Sequence, residues 1–282
     1  MPTRRDASRG ESSRPPEPAL RDALALAREA LAAEPAGLLT DFDGTLSPIV
    51  EDPAAARLVD GATDALAALA DRLAVVAVVT GRAPLDARRM TGVRGLLIAG
   101  NHGTEWLEPD AESPVSSDAV VAARDRIAAI LDRVPAARGV SVEDKGVSAT
   151  VHYRAAAEPE AARRAIVEAI GDPGVGVELR PGRMSVEIRP VGLGDKGAAT
   201  RDIVERFGLR GAVVMGDDVT DLDMFRAVAD ARDAGSLRAA IIGVGGSDRE
   251  VPPEVAAAAD AMLADPSAAA RFLAELADPP AA

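Results

Sequence analysis

Asp41 and Asp43 stand one residue apart, just after the apolar run 37–39 and just before Gly44 and Thr45. The run reads as a short buried strand. In an open α/β sheet, ligands collect beyond the carboxyl ends of the strands. The two carboxylates therefore stand where a site forms, and a turn at Gly44 could aim both at one pocket. Alone, Asp-Gly reads equally as an ordinary turn. Three further pieces lie downstream: Thr80-Gly81-Arg82 after a second apolar strand, Asp195-Lys196 at a helix start, and Gly216-Asp217-Asp218 with Asp221 after a third strand. Together they offer what phosphoryl transfer needs. A carboxylate can be the nucleophile, and a second acid can protonate the leaving oxygen. Cations and hydrogen-bond donors can hold the phosphoryl oxygens. Carboxylates crowded at a strand end repel one another, and a hard divalent ion relieves that repulsion. Asp217 thus reads as a metal ligand in preference to a simple helix cap.

The elements that must position these groups alternate in type. A helix is expected over 19–33, a strand over 37–39, a helix over 60–71 and a strand over 73–79. Helix 84–90 and strand 96–98 follow, the latter running into Gly100-Asn101-His102-Gly103. Such alternation predicts a doubly wound, mostly parallel Rossmann-like sheet. The texture changes near Pro109. Residues 109–118 are rich in Pro, Ser and acid and read as a linker. Helix 118–134, strands 139–144 and 147–153, helix 158–170 and strands 175–180 and 184–189 then suggest an inserted α+β unit. Turns are expected at Lys145-Gly146 and Pro181-Gly182. The α/β texture returns with helix 195–207, strand 212–215, a helix, strand 238–244, a short strand over 260–263 and helix 266–277. The division expected is a disordered tail over 1–18, a core over 19–108 and 191–282, and the α+β insert over 109–190.

Composition narrows the partners. The 282 residues suffice for one large domain or two of ordinary size. A net charge of −13 argues against nucleic acid or anionic membrane as the partner. No cysteine is present, which excludes disulfides and thiolate zinc sites. No apolar run approaches the roughly 18 residues of a membrane span. Residues 1–18 lack the apolar segment of a secretory signal, so the cytoplasm is the expected location and a monomer the expected state. Only two of the 32 basic residues are lysines, Lys145 and Lys196. An ammonium is a point charge that the planar guanidinium does not replace, so both positions point to function.

The four pieces, three at strand ends and one at a helix start, resemble the motifs of haloacid dehalogenase-like phosphatases. The strings Asp41–Val50, Gly100–Glu105, Glu143–Gly146, Val151–Arg154, Glu187–Pro190, Asp195–Gly197 and Gly216–Phe225 resemble, more narrowly, the trehalose-6-phosphate phosphatase family. The resemblance covers about residues 36–277. It implies Asp41 as nucleophile and Asp43 as general acid and then base. Mg2+ would be held by Asp41, the Asp43 carbonyl and Asp217. Thr80 and Gly81 would bind the phosphoryl group with Arg82, Lys196 would neutralise charge beside Asp41, and Thr45, Asp218 and Asp221 would support the metal site. The insert becomes a cap over a small-molecule sugar phosphate, contacted by Lys145, His152 and Glu187, with Asn101, His102 and Glu105 on the core side. Read from the residues alone, His152 and Glu187 could equally be the wet face of the cap sheet. Phosphatases for sucrose 6-phosphate or mannosyl-3-phosphoglycerate, a phosphomutase and a non-catalytic sensor are the alternatives. A departure from the family pattern is Leu222, which stands where an acid is common.

Overall fold

The computed structural model describes residues 18–50, 52–144, 146–182, 184–191, 195–246 and 251–278. The tail expected over 1–18 is described only at Pro18, which already opens the first helix. Lys145 and the glycine-bearing segment 192–194 lie outside the described residues.

In chain order, α1 (Pro18–Leu31) precedes β1 (Ala36–Thr40), α2 (Ala62–Ala70) precedes β2 (Val75–Val79), and α3 (Pro84–Thr91) precedes β3 (Leu97–Gly100). Two short strands follow, β4 (Glu105–Leu107) and β5 (Val115–Ser116). Next come α4 (Asp118–Leu131), β6 (Ser141–Asp144), β7 (Ala149–His152), α5 (Pro159–Ile170), β8 (Val177–Gly182) and β9 (Ser185–Pro190). Then α6 (Lys196–Arg206), β10 (Gly211–Gly216), α7 (Leu222–Asp233), β11 (Arg238–Val244), α8 (Pro253–Ala258), β12 (Ala261–Leu263) and α9 (Pro266–Ala277) complete the chain.

The described strands form two sheets. The larger has the order β12-β11-β10-β1-β2-β3-β4-β5. It is parallel from β12 to β3 and antiparallel where β4 and β5 join. The central strands are buried on both faces, so they carry unbroken apolar runs. Their alternation still sorts side chains. Leu38, Val76, Val78, Val213 and Met215 enter the layer beneath α1, α2 and α9, with Leu66 and Phe272. Leu39, Ala77, Val79, Ala212 and Val214 enter the opposite layer, with Ile203, Phe225 and Val228 of α6 and α7. Helices on both faces make this a doubly wound α/β fold. Thr40 aligns with both Met215 and Val78, so β10, β1 and β2 end at one edge. That register brings together the motifs that follow each strand.

The second sheet is antiparallel, with the order β6-β7-β9-β8. Ala149, Val151, Val186 and Ile188 face Ile127 and Ile130 of α4 and Ile166 and Ile170 of α5. Directly opposed residues share a face. The other face is therefore polar, with the row Glu143, Thr150, Glu187 and Arg180 across it. Tyr153 is buried in this small core, and Trp106 packs against the core of the larger sheet.

The structure corrects two expectations and adds one element. The stretch 109–118 is not wholly a linker, because Val115 and Ser116 pair with Trp106 and Glu105. Pro181 and Gly182 are not the turn but the end of β8, paired with Val186 and Ser185. β8 is an edge strand, where proline's missing N–H is tolerated. Helix α8 was unexpected altogether. Among the described residues no helix is long and apolar enough to cross a membrane.

Candidate active site

β1 delivers Asp41 as the first residue beyond its end, and the Asp41 N–H continues the ladder by donating to the Met215 carbonyl (3.0 Å). Lys196 opens α6, whose N-terminus is capped by the Asp195 side chain accepting from Ala198 N (2.6 Å). The Lys196 side chain is 3% exposed, and its Nζ donates to Asp41 Oδ1 (2.7 Å) and Asp221 Oδ1 (2.6 Å). Asp221 Oδ2 accepts the backbone N–H groups of Asp217 (2.9 Å) and Asp218 (3.0 Å). The carboxylate expected only to support the metal site is thus the second partner of the lysine and the anchor of the Gly216–Asp218 turn. Thr45 Oγ1 donates to Asp217 Oδ1 (2.9 Å), tying the β1 loop to the β10 loop. Asp218 caps the turn from outside, accepting from Val219 N (2.7 Å).

One ligand atom from each of Asp41, Asp217 and Asp221 lies within 4.8 Å of the others, and all three residues are buried. Three carboxylates face one ammonium, so their charges do not balance. Burial pushes the Asp41 carboxyl well above the usual carboxylate range; Asp221 and Asp217 push the same way, and Lys196 opposes them. Burial works against the Lys196 charge, but Asp41 and Asp221 outweigh it and hold the ammonium charged. A cluster of hard oxygen donors with surplus negative charge fits a hard divalent cation. Asp221 already spends its oxygens on Lys196 and on two amides. Asp41 likewise accepts from Lys196, and Asp217 from Thr45, so all three carboxylates are held in place.

Lys196→Arg keeps the charge but not the shape. The guanidinium is a planar fork, and the pocket holds a point charge between two carboxylates. The variant is expected to lose at least about tenfold in kcat/KM for phosphate release, about 1.4 kcal/mol. Steady-state rates of a folded variant check this, and wild-type kinetics would make the lysine a bystander.

Asp43 sits outside this buried cluster. Arg82 holds it in a two-point ion pair, Nε to Oδ2 (2.7 Å) and Nη2 to Oδ1 (2.6 Å), and stacks over the Phe42 ring at 5.4 Å. Both residues line a cavity of about 570 Å3, with Gly81 and Asn101 from the core loops and Glu143 and Asp144 from the insert. Ile49 and Val50, both exposed, form its apolar rim. Thr80 is buried at the end of β2, and its Oγ1 accepts the Arg82 N–H (3.2 Å).

The residues expected on the sugar side separate into groups. Asn101 lines the cavity, held by its N–H donating to the Arg82 carbonyl (2.8 Å). The His102 ring is exposed and lies against Gly81, while the residue's backbone N–H donates to the Thr80 carbonyl (2.9 Å). Glu105 is buried, its carboxylate accepting from Asn101 Nδ2. His152 stands 3.1 Å from Glu143 on the polar face of the insert, which Glu187 shares. Glu143 and Asp144 are cavity residues that were not singled out from the sequence. The signal was there in the string Glu143–Gly146, on which the family resemblance already rested.

The family model described as Trehalose-phosphatase matches residues 39–252. An uncharacterised glycosyl hydrolase of Mycobacterium tuberculosis (strain CDC 1551 / Oshkosh) is 41% identical over 199 residues, 67% of this chain and 15% of that protein. A trehalose-phosphate phosphatase of Mycobacterium avium (strain 104) is 38% identical over 217 residues, 73% of this chain and 54% of that protein. The chain thus spans about half the length of that phosphatase and a small part of the first relative. Among solved structures, the trehalose-6-phosphate phosphatase of Aspergillus fumigatus superposes with a TM-score of 0.60 at 26% identity, covering 92% of this chain and 97% of that one. The C-terminal domain of the Candida albicans trehalose-6-phosphate phosphatase, at 22% identity and a TM-score of 0.61, shares the fold over 90% of this chain and 96% of its own.

Proposed function

We propose that this chain, which belongs to the trehalose-phosphatase family, is a Mg2+-dependent phosphatase that hydrolyses trehalose 6-phosphate to trehalose and phosphate. The observation that carries this reading is the buried Asp41–Lys196–Asp221 cluster, with Asp217 beside it, next to a cavity walled by both units. Asp41 attacks phosphorus, and the phosphorus–oxygen bond to the sugar breaks. Asp43 gives a proton to the departing sugar oxygen. Asp43 then takes a proton from water as that water attacks the aspartyl-phosphate, which frees Asp41. Lys196 keeps Asp41 oriented and offsets part of the cluster's charge. In the structure Arg82 pairs with Asp43 through two contacts. An entering phosphate gives the guanidinium another partner, and Asp43 then enters the reaction carrying a proton taken from solvent, which it passes to the sugar oxygen and regains from the attacking water. Asp41, the Asp43 carbonyl and Asp217 would hold Mg2+, which supplies positive charge to the phosphoryl oxygens as a Lewis acid. The insert acts as a cap, presenting Glu143, Asp144, His152, Glu187 and, from the sequence, Lys145 to the sugar.

A phosphate-release screen tests the reading. Turnover is expected to be highest on trehalose 6-phosphate, lower on sucrose 6-phosphate and mannosyl-3-phosphoglycerate, and absent in excess chelator. Mg2+ at a hundred times its dissociation constant is expected to add about 2.7 kcal/mol of stability, read as a rise in Tm. Full activity in chelator removes the metal from the proposal, and the absence of any preference among the sugars removes the substrate.

A further inference from the structure

Glu105 was placed among the sugar contacts, yet its carboxylate is already engaged on three sides. It accepts from Asn101 Nδ2, lies 3.5 Å from the Ser116 hydroxyl that donates to it, and stands 3.7 Å from Arg124 Nη1 on α4. Its side chain is 8% exposed. An ionised carboxylate only accepts hydrogen bonds, so it fixes which way the Asn101 amide points. The NH2 group must face Glu105, and Oδ1 is left for the cavity that Asn101 lines. The Asn101 backbone cannot drift, since its N–H donates to the Arg82 carbonyl (2.8 Å) and its carbonyl accepts from Thr104 Oγ1 (2.9 Å). Arg124 belongs to the insert, and its Nη2 would lie 3.8 Å from a Cβ built on Gly146, in the turn between β6 and β7. One carboxylate therefore touches the core loop and the insert together.

We propose that Glu105 is a positioning residue: it sets the Asn101 amide so that Oδ1 accepts from a sugar hydroxyl, and through Arg124 it ties that setting to the insert. This rests on the sugar-phosphate reading above and changes the role of Glu105 within it. Glu105 does not touch the sugar. It makes the core side of the cavity an acceptor, which selects ligands that present a hydroxyl there. A bare phosphate or an aryl phosphate gains nothing from it.

Glu105→Gln is close in shape but carries both a donor and an acceptor, so Asn101 can turn either way. Breaking a bond to a charged group is expected to raise KM for trehalose 6-phosphate about tenfold. kcat on that substrate, and kcat/KM on para-nitrophenyl phosphate, stay near wild type. Arg124→Gln, at a partly exposed position, shifts KM in the same direction by less. The double variant falls short of the product of the two effects, because they share one carboxylate. An independent readout is the Asn101 side-chain amide in a nitrogen-15 spectrum. Its proton signals should shift and exchange faster with water in Glu105→Gln. A wild-type KM in Glu105→Gln overturns the proposal. So does an equal loss on both substrates, or an Asn101 amide signal that does not change. A wild-type enzyme that cleaves the aryl phosphate but no sugar phosphate defeats the functional reading instead. The amide signal still decides the orientation in that case.

Discussion

Asp41→Asn is expected to abolish phosphate release while the protein stays folded. The amide is no nucleophile, and removing a nucleophile costs roughly 10^4-fold or more in kcat in enzymes that form a covalent intermediate. The replacement is nearly isosteric, and Asn Oδ1 still accepts from Lys196, so packing does not suffer. Stability gives a second, signed test. Burial, with Asp221 and Asp217, lifts the folded-state pKa of Asp41 above its unfolded value. A carboxyl shifted this way subtracts stability once the pH exceeds the unfolded value of about 3.9, and the whole penalty is felt only above the folded one. Asn removes that penalty. Near neutral pH in chelator, the variant should therefore melt at or above the wild-type temperature. In Mg2+ the order should reverse, because a proposed metal ligand is gone. Turnover by Asp41→Asn, or a Tm well below wild type in chelator, contradicts this description of the cluster.

The parts of the molecule legible in the sequence are those whose information is local. β1, β2 and β10 are buried on both faces, so each reads as an apolar run, and each delivers its chemical residue within one or two positions of its end. Asp41, Thr80 and Asp217 could therefore be placed without coordinates. Residues that act through distant partners could not. Asp221 shares Lys196 with Asp41 across 25 residues of chain, a pairing set by how the turn after β10 packs on α6. Glu105 takes its partners from the Asn101 loop, from β5 and from the insert. β4 and β5 are too short to show a period, and they exist because Trp106 finds Val115 in the ladder. At Pro181-Gly182 the local turn signal was real, but its place in the chain was overruled by pairing with β9. The arginine in Thr80-Gly81-Arg82 was legible as a candidate binding residue; its grip on Asp43 was not, since nothing local joins the two loops.

Gly44→Ala is expected to cost nearly all activity, and for a reason separable from backbone strain. Gly44 has φ +86°, a conformation that L residues adopt at a cost of roughly 1–2 kcal/mol. A Cβ there would also collide with Asp217 Oδ2 and lie 2.7 Å from Oδ1. Asp217 cannot swing aside freely, because Thr45 from the same loop holds its Oδ1 at 2.9 Å. Loop and carboxylate must therefore part, and the proposed metal site opens. Gly61 supplies the control. It has φ +84°, and nothing lies within 4 Å of a Cβ built on it. Gly61→Ala pays the backbone cost alone. Both variants should lose about 1 kcal/mol or more of stability in chelator. Only Gly44→Ala should also need far more Mg2+ and lose roughly 10^3-fold in kcat/KM, the scale of losing one preorganised charge-stabilising group or more. The measurement is a Mg2+ titration of phosphate release, run beside thermal melts of both variants. A wild-type Mg2+ requirement in Gly44→Ala would mean that Asp217 does not hold the metal. Equal losses in the two variants would mean that strain, and not the contact with Asp217, is what the glycine relieves.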